Sequence, residues 1–226
     1  MADTRKDVAL VVGVGPGLGA ALARRFAAEK MVVALGARRV DKLKDLARQT
    51  GGRAYACDST SEISVDDLFT AVERDLGIPR LVVFNAGGFV RKPIAELGAG
   101  ELEACWRACC LGGFLVGRAA ARAMLPEGPG TILFTGATAA LRGSANFAAF
   151  AIGKFGLRAL AQSMARELGP QGIHVGHVII DGSIGEDSGE SRLSPDAIAE
   201  NYWLLHRQPK SAWTLELDLR PWVEKF

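Results

Sequence analysis

The sequence predicts an α/β fold in which a doubly wound sheet of seven parallel strands carries helices on both faces. Three observations predict it. The chain has 226 residues, 49% of them hydrophobic and 23% charged, enough to bury one extensive core. Short β-branched runs alternate along it with Ala-, Leu- and Arg-rich segments of helical period, the pattern of a parallel sheet covered on both sides. A cluster of glycines separates the first such run from the first helical segment, where a strand has to turn tightly into a helix.

Taken in order, the first strand is expected at 8–12, and the glycine turn leads from it into a helix at 18–29. Strands at 32–35, 54–56 and 81–84 alternate with helices at 41–49 and 65–75. The long Ala- and Leu-rich stretches at 102–124 and 147–168 read as helices, with strands at 131–134 and 175–180 after them. A polar, glycine-rich stretch, 182–194, follows the sixth strand, where an open α/β sheet places ligand-contacting loops. Ser194 is a plausible cap and Pro195, Asp196 and Ala197 a first turn for a helix at 195–205, and 214–217 supplies the seventh strand. No repeat, low-complexity tract or linker interrupts the order, so 1–226 is expected to be one domain.

Composition excludes several classes. Lys and Arg number 27 against 25 Asp and Glu, a net charge of +2, and the basic residues are scattered, so there is no footprint for nucleic acid or an anionic membrane. No apolar stretch is long enough to cross a bilayer, and the first seven residues carry no apolar signal core, which leads to the expectation of a cytoplasmic protein. Cys57, Cys105, Cys109 and Cys110 form no Cys-x-x-Cys pair and have no histidine at ligand spacing. They read as reduced packing residues, and no metal is expected.

The glycine turn reads Gly13-Val14-Gly15-Pro16-Gly17-Leu18-Gly19, a sequence that lets a pyrophosphate reach the amides at a helix N-terminus. An ordinary strand-to-helix glycine turn uses the same residue types. The spacing is Gly-x-x-x-Gly-x-Gly through Gly13, Gly17 and Gly19, and it resembles the short-chain dehydrogenase/reductase family. Further matches follow in family order over nearly the whole chain. Asn85-Ala86-Gly87 resembles the motif that braces the sheet beside the cofactor, and Asp58 occupies the position whose carboxylate accepts from the adenine amino group. Lys154 with the helix after it, Ala165-Arg166-Glu167-Leu168 and Gly172-Ile173-His174-Val175 resemble the family's fifth helix and sixth strand.

The resemblance implies a Rossmann-type domain binding a nicotinamide dinucleotide, with the C-terminal segment 195–226 completing the substrate side. It implies cofactor contacts at Gly13, Gly15, Gly17, Leu18, Gly19, Asp58, Asn85, Ala86, Gly87, Lys154, Gly182 and Ile184, with Glu186 near the carboxamide. Where NAD-preferring relatives carry an acidic residue this chain has Ala37, and Arg38 stands where NADP-preferring relatives place a guanidinium for the 2′-phosphate. Arg39 offers a second charge. The alternative is that both arginines are solvated residues at a helix start. NADP(H) is therefore expected to be favoured over NAD(H).

The catalytic half departs from the family. Its members use a Ser, a Tyr-x-x-x-Lys pair and a helix Asn, but here the pair reads Phe150-Ala151-Ile152-Gly153-Lys154. Counting back from Phe150 places Ala137 at the serine position, with Thr138 the nearest hydroxyl, and Cys109 falls at the asparagine. Only Lys154 is retained. A replacement acid could come from Lys154, Thr138, a water, Tyr202 or His206, although each also has a plain structural reading, and His174 and His177 read as strand packing. Trp203, Trp213 and Trp222 line a pocket or seal a subunit contact.

Two readings of function result. One is an NADP(H)-dependent oxidoreductase of unknown small-molecule substrate with a non-standard proton donor. The other is a catalytically silent NADP(H)-binding sensor, regulatory or assembly protein. The helices at 102–124 and 147–168 resemble those through which relatives form dimers and tetramers. Cys105, Cys109, Phe114 and Leu115 on one, and Phe155, Leu157 and Leu160 on the other, predict a homodimer or homotetramer.

Overall fold

Strand β1, Val8–Val12, is buried along its whole length and lies inside the sheet, third of its seven strands. Alternate side chains point to opposite faces: Val8, Leu10 and Val12 enter one core, and Ala9 and Val11 the other. The computed structural model describes residues 7–185 and 191–224. The other strands of its sheet are β2 (Val32–Ala37), β3 (Arg53–Ala56), β4 (Pro79–Phe84), β5 (Gly130–Thr135), β6 (Ile173–Ile180) and β9 (Glu216–Leu219). The seven-stranded sheet runs β3, β2, β1, β4, β5, β6, β9, and every neighbouring pair is parallel. Chain direction of travel reverses between β1 and β4, which opens a crevice at the carboxyl ends of these strands.

Helices α1 (Leu18–Ala28), α2 (Lys44–Thr50) and α7 (Pro195–His206) are in chain order the first, second and last. Leu22 and Phe26 of α1 and Ile198, Tyr202 and Leu205 of α7 bury against Val33, Leu35 and Val83 on one face. On the other face, α3 (Glu62–Asp75), α5 (Gly112–Met124) and α6 (Ala148–Leu168) supply Leu68, Val72, Val116, Met124, Leu157 and Ala161. The doubly wound α/β class expected from the alternating pattern is the observed one.

The differences lie at element ends. α3 begins at Glu62, three residues before the expected start at 65, because Ser61 caps it by accepting from Ser64 N. The helix expected at 41–49 is a 3₁₀ turn, Val40–Leu43, running into α2 and stopped at Gly51, whose φ of 63° suits glycine. The helix expected at 102–124 starts earlier, as α4 (Ala99–Trp106), with Glu101 Oε2 accepting from Gly98 N. It then passes through a π-helical turn, Arg107–Leu111, into α5. The seventh strand starts at Glu216 rather than at residue 214, because Gln208 already holds Thr214 through both its amide oxygen and nitrogen. The stretch 182–194 contributes two short parallel strands, β7 (Ser183–Ile184) and β8 (Arg192–Leu193).

Among the described residues no helix is long and apolar enough to cross a membrane. Of the side chains expected on outward helix faces, Cys105, Cys109, Leu115 and Leu157 are instead buried in the cores. Phe114 and Phe155 remain 40% and 43% exposed.

Candidate active site and nucleotide cleft

At the carboxyl end of β1 the chain has to turn against its neighbour strand. Gly13 does so with φ 93°, and a Cβ there would stand 2.4 Å from Ala86 N. Asn85 fastens the turn, its N–H donating to Val12 O and its Nδ2 to Gly13 O at 3.1 Å. Gly19 brings α1 close, since a Cβ would meet Val14 Cα at 2.8 Å. Gly15 and Gly17 differ: nothing lies within 4 Å of where a Cβ would be, so a side chain there would only project into open space. Gly17 is also the N-cap of α1 and offers no side-chain acceptor to the first helical amides. Leu18 buries its side chain in the core and can offer only its main chain.

The cleft above this turn holds about 810 Å³ and is lined by Gly13, Gly15, Arg38, Arg39, Asp58, Asn85, Ala86 and Gly87 among others. Arg38 and Arg39 follow β2 and are exposed. Asp58 Oδ1 accepts from Thr60 N at 2.9 Å and from Thr60 Oγ1 at 2.8 Å. Those two bonds, with the Arg38 and Arg107 charges behind them, hold its carboxyl below the usual range. Open glycine turn, uncapped helix N-terminus, facing guanidinium and held carboxylate together fit a dinucleotide: pyrophosphate at the amides, an anionic group at Arg38, a base at Asp58.

Lys154 enters from α6 and donates from Nζ to Thr135 O at 2.8 Å. It is buried, and desolvation lowers its pKa against the opposing influence of Cys109 and Cys105. One turn earlier the Phe150 ring has its centroid 5.8 Å from Nζ. Phe150 packs edge-on against Phe89, which packs in turn on Phe147, and Phe89 is 65% exposed. Cys109, in the π-helical turn, is fully buried, with Sγ accepting from Gly88 N and donating to Gly88 O. Ala137 offers a methyl group. Thr138 donates from Oγ1 to Asp181 Oδ1 at 2.5 Å, and Asp181 Oδ2 lies 3.7 Å from Arg220 Nη2.

Several expected candidates are committed elsewhere. Tyr202 is wholly buried, shares a hydrogen bond with Thr135 Oγ1 at 2.8 Å, and has its pKa raised by burial. His206 Nδ1 bonds Thr131 Oγ1, at the amino end of β5 and so at the opposite edge of the sheet from Thr138. His174 bonds Thr214 O and stacks on Trp213, while His177 is buried beneath Gly136. Trp203 lies between Arg25 and Arg207, away from the crevice, and Trp222 is 79% exposed. Gly182 takes φ 152°, where a Cβ would stand 3.0 Å from side-chain carbons of Leu193 and Pro221, and Ile184 stands half-exposed in β7. Glu186 lies outside the described residues. Among the described residues no three His, Cys, Asp or Glu side chains are grouped to hold a metal. The Thr138–Asp181 pair and the three-phenylalanine cluster were not foreseen.

A family model described as short chain dehydrogenase matches residues 7–184. The crystal structure of a short-chain dehydrogenase from Rhodopseudomonas palustris is 43% identical, covers 96% of this chain and 99% of its own, and superposes with a TM-score of 0.87. A metagenomic short-chain oxidoreductase solved in complex with NADP is 28% identical over 98% of this chain and 100% of its own, with a TM-score of 0.86. Among curated proteins, a short-chain dehydrogenase/reductase of Hericium erinaceus is 30% identical over 214 residues, covering 87% of this chain and 85% of that protein.

Proposed function

This chain belongs to the short-chain dehydrogenase/reductase family, and on that footing we propose that it is an NADP(H)-dependent oxidoreductase of a small carbonyl or alcohol compound, working with an altered proton donor. The observation that carries the reading is the continuous cleft from the Gly13 turn to Arg38 and Asp58, on the same edge of the sheet as buried Lys154. In this assignment the amides at the α1 N-terminus take the pyrophosphate, Asp58 the adenine, and Arg38, with Arg39 beside it, the 2′-phosphate. Lys154 holds the nicotinamide ribose, and Gly182 and Ile184 lie toward the carboxamide. A bound nicotinamide supplies or accepts a hydride. The chain itself orients the substrate and manages the proton, and of the family's four catalytic groups only Lys154 is retained.

The proposal extends to one domain whose C-terminal segment completes the substrate side, in a cytoplasmic setting without nucleic-acid or membrane partners. It also includes a homodimer or homotetramer, supported by the exposed Phe114 and Phe155 rings on α5 and α6. A concentration-independent monomer mass in light scattering would exclude the last point.

A catalytically silent, NADP(H)-binding role is the second reading, and the carbon ring of Phe150 in place of a phenol favours it. Titration with NADPH and NADH, followed by a carbonyl and alcohol panel monitored for cofactor turnover, separates the two. Binding with turnover supports the enzyme, binding without turnover the silent protein, and absence of binding removes both.

A further inference from the structure

Beyond Lys154, one polar pair stands at the carboxyl edge of the sheet. Thr138 follows β5 and Asp181 follows β6, two adjacent strands whose pairing runs up to Thr135 opposite Val178. We propose that Thr138 and Asp181 form the proton-transfer pair of this site, accepting the hydroxyl proton of a secondary alcohol and returning it to the alkoxide when a ketone is reduced. The proposal rests on the oxidoreductase reading above.

Three features point to it. The pair is short, with Thr138 Oγ1 donating to Asp181 Oδ1 at 2.5 Å. It is layered: Asp181 is 4% exposed while Thr138 is partly exposed, so Thr138 is the more accessible member. It is also polarised in one sense. The threonine proton is committed to Asp181, so the remaining lone pairs of Oγ1 are acceptors suited to a substrate hydroxyl. Arg220 offsets the buried negative charge, lying 3.7 Å from Asp181 Oδ2 while it also pairs with Asp218. The rival groups are engaged or mute: Phe150 has no proton, Cys109 is tied to Gly88, and Tyr202 and His206 bond Thr135 and Thr131.

In the oxidative direction the substrate O–H bond breaks as its proton passes to Thr138 Oγ1, while the threonine proton passes to Asp181 Oδ1. The C–H bond electrons leave as hydride to an oxidised nicotinamide, and a ketone forms. Asp181 then yields its proton to solvent. Reduction is the same sequence reversed, with Asp181 protonated at the outset.

The test compares the unaltered protein with Asp181→Asn, Thr138→Val and Thr138→Ser. The probes are 1-phenylethanol and 2-propanol with NADP+, and 9,10-phenanthrenequinone with NADPH; NADPH binding by fluorescence and the melting temperature are followed in parallel. Asp181→Asn and Thr138→Val should lower kcat by roughly 10²–10⁴-fold, with NADPH binding within about twofold of the parent and Thr138→Ser restoring most of the rate. Turnover that survives in the first two variants overturns the proposal and leaves the oxidoreductase reading intact. A loss that Thr138→Ser does not restore, or that comes with lost NADPH binding or a fall in melting temperature, assigns the pair a structural role and overturns the proposal as well. An unaltered protein that binds NADPH and turns over no probe overturns the oxidoreductase reading, and this proposal with it.

Discussion

Phe150 and Lys154 stand one helical turn apart on α6, with the lysine nitrogen 5.8 Å from the centroid of the phenylalanine ring. The ammonium therefore has an aromatic neighbour and a carbonyl acceptor, Thr135 O, but no phenol whose ionisation it could assist. Burial of Lys154 and the edge contact with Phe89 hold this geometry without help from a hydroxyl.

Phe150→Tyr is expected to add a phenol within this frame. NADPH-dependent reduction of reactive diketones should rise by about tenfold or more, within the roughly 10²–10⁴-fold that a positioned acid contributes. Adding Ala137→Ser should increase the gain by orienting the carbonyl. Stopped assays on the parent, both single variants and the double variant check this, and activity that falls on Phe150→Tyr would show that the ring itself shapes the productive pocket.

Arg38→Ala should remove most of the preference for NADPH over NADH. A charged hydrogen bond is worth about 1.5–3 kcal/mol, or roughly tenfold and upward in affinity. Calorimetric titration of both cofactors into both proteins measures it, and equal binding by the unaltered protein would end the assignment.

The glycine turn separates folding from binding. Gly13→Ala forces a Cβ into Ala86 N at a φ of 93°, so the variant should lose about 2–3 kcal/mol of stability. That corresponds to a fall in melting temperature on the order of 4–12 °C for a chain of this size. Gly15→Ala meets nothing within 4 Å and should melt like the parent while binding NADPH more weakly, because its methyl enters the cleft. Melting curves with and without NADPH distinguish the two.

Acid lability should begin as the pH falls below about 6.5. Desolvation pushes His177 down to about 4, with Glu216 opposing the shift, so the folded protein keeps the ring neutral. As the pH falls from about 6.5 toward 4, the unfolded chain gains a proton that the native state refuses, and stability drops by a total of about 3 kcal/mol. His174 and His206, also lowered by burial, add to the same slope. His177→Leu should flatten it. Denaturant midpoints at pH 7.5 and pH 5 measure the effect, and an unchanged slope in the variant would refute it.

The sequence by itself determined the α/β class, the seven strands and the glycine turn, because strand and helix periodicity and tight turns are expressed within a few neighbouring residues. It also determined that no phenol could stand at Phe150 and that Arg38 follows the second strand, since these are matters of residue identity. Tertiary structure alone decided what meets across elements. Thr138 and Asp181 are 43 residues apart and are joined only by the register of β5 on β6. His177 lies under Gly136, and Cys109 turns toward Gly88 because a π-helical turn re-aims that face of the helix. Exposure of Phe114 against burial of Leu115, adjacent on one helix, was settled by the sheet beneath α5. Such contacts depend on strand register and helix rotation, which are set by packing of the whole core, and no local window of sequence contains them.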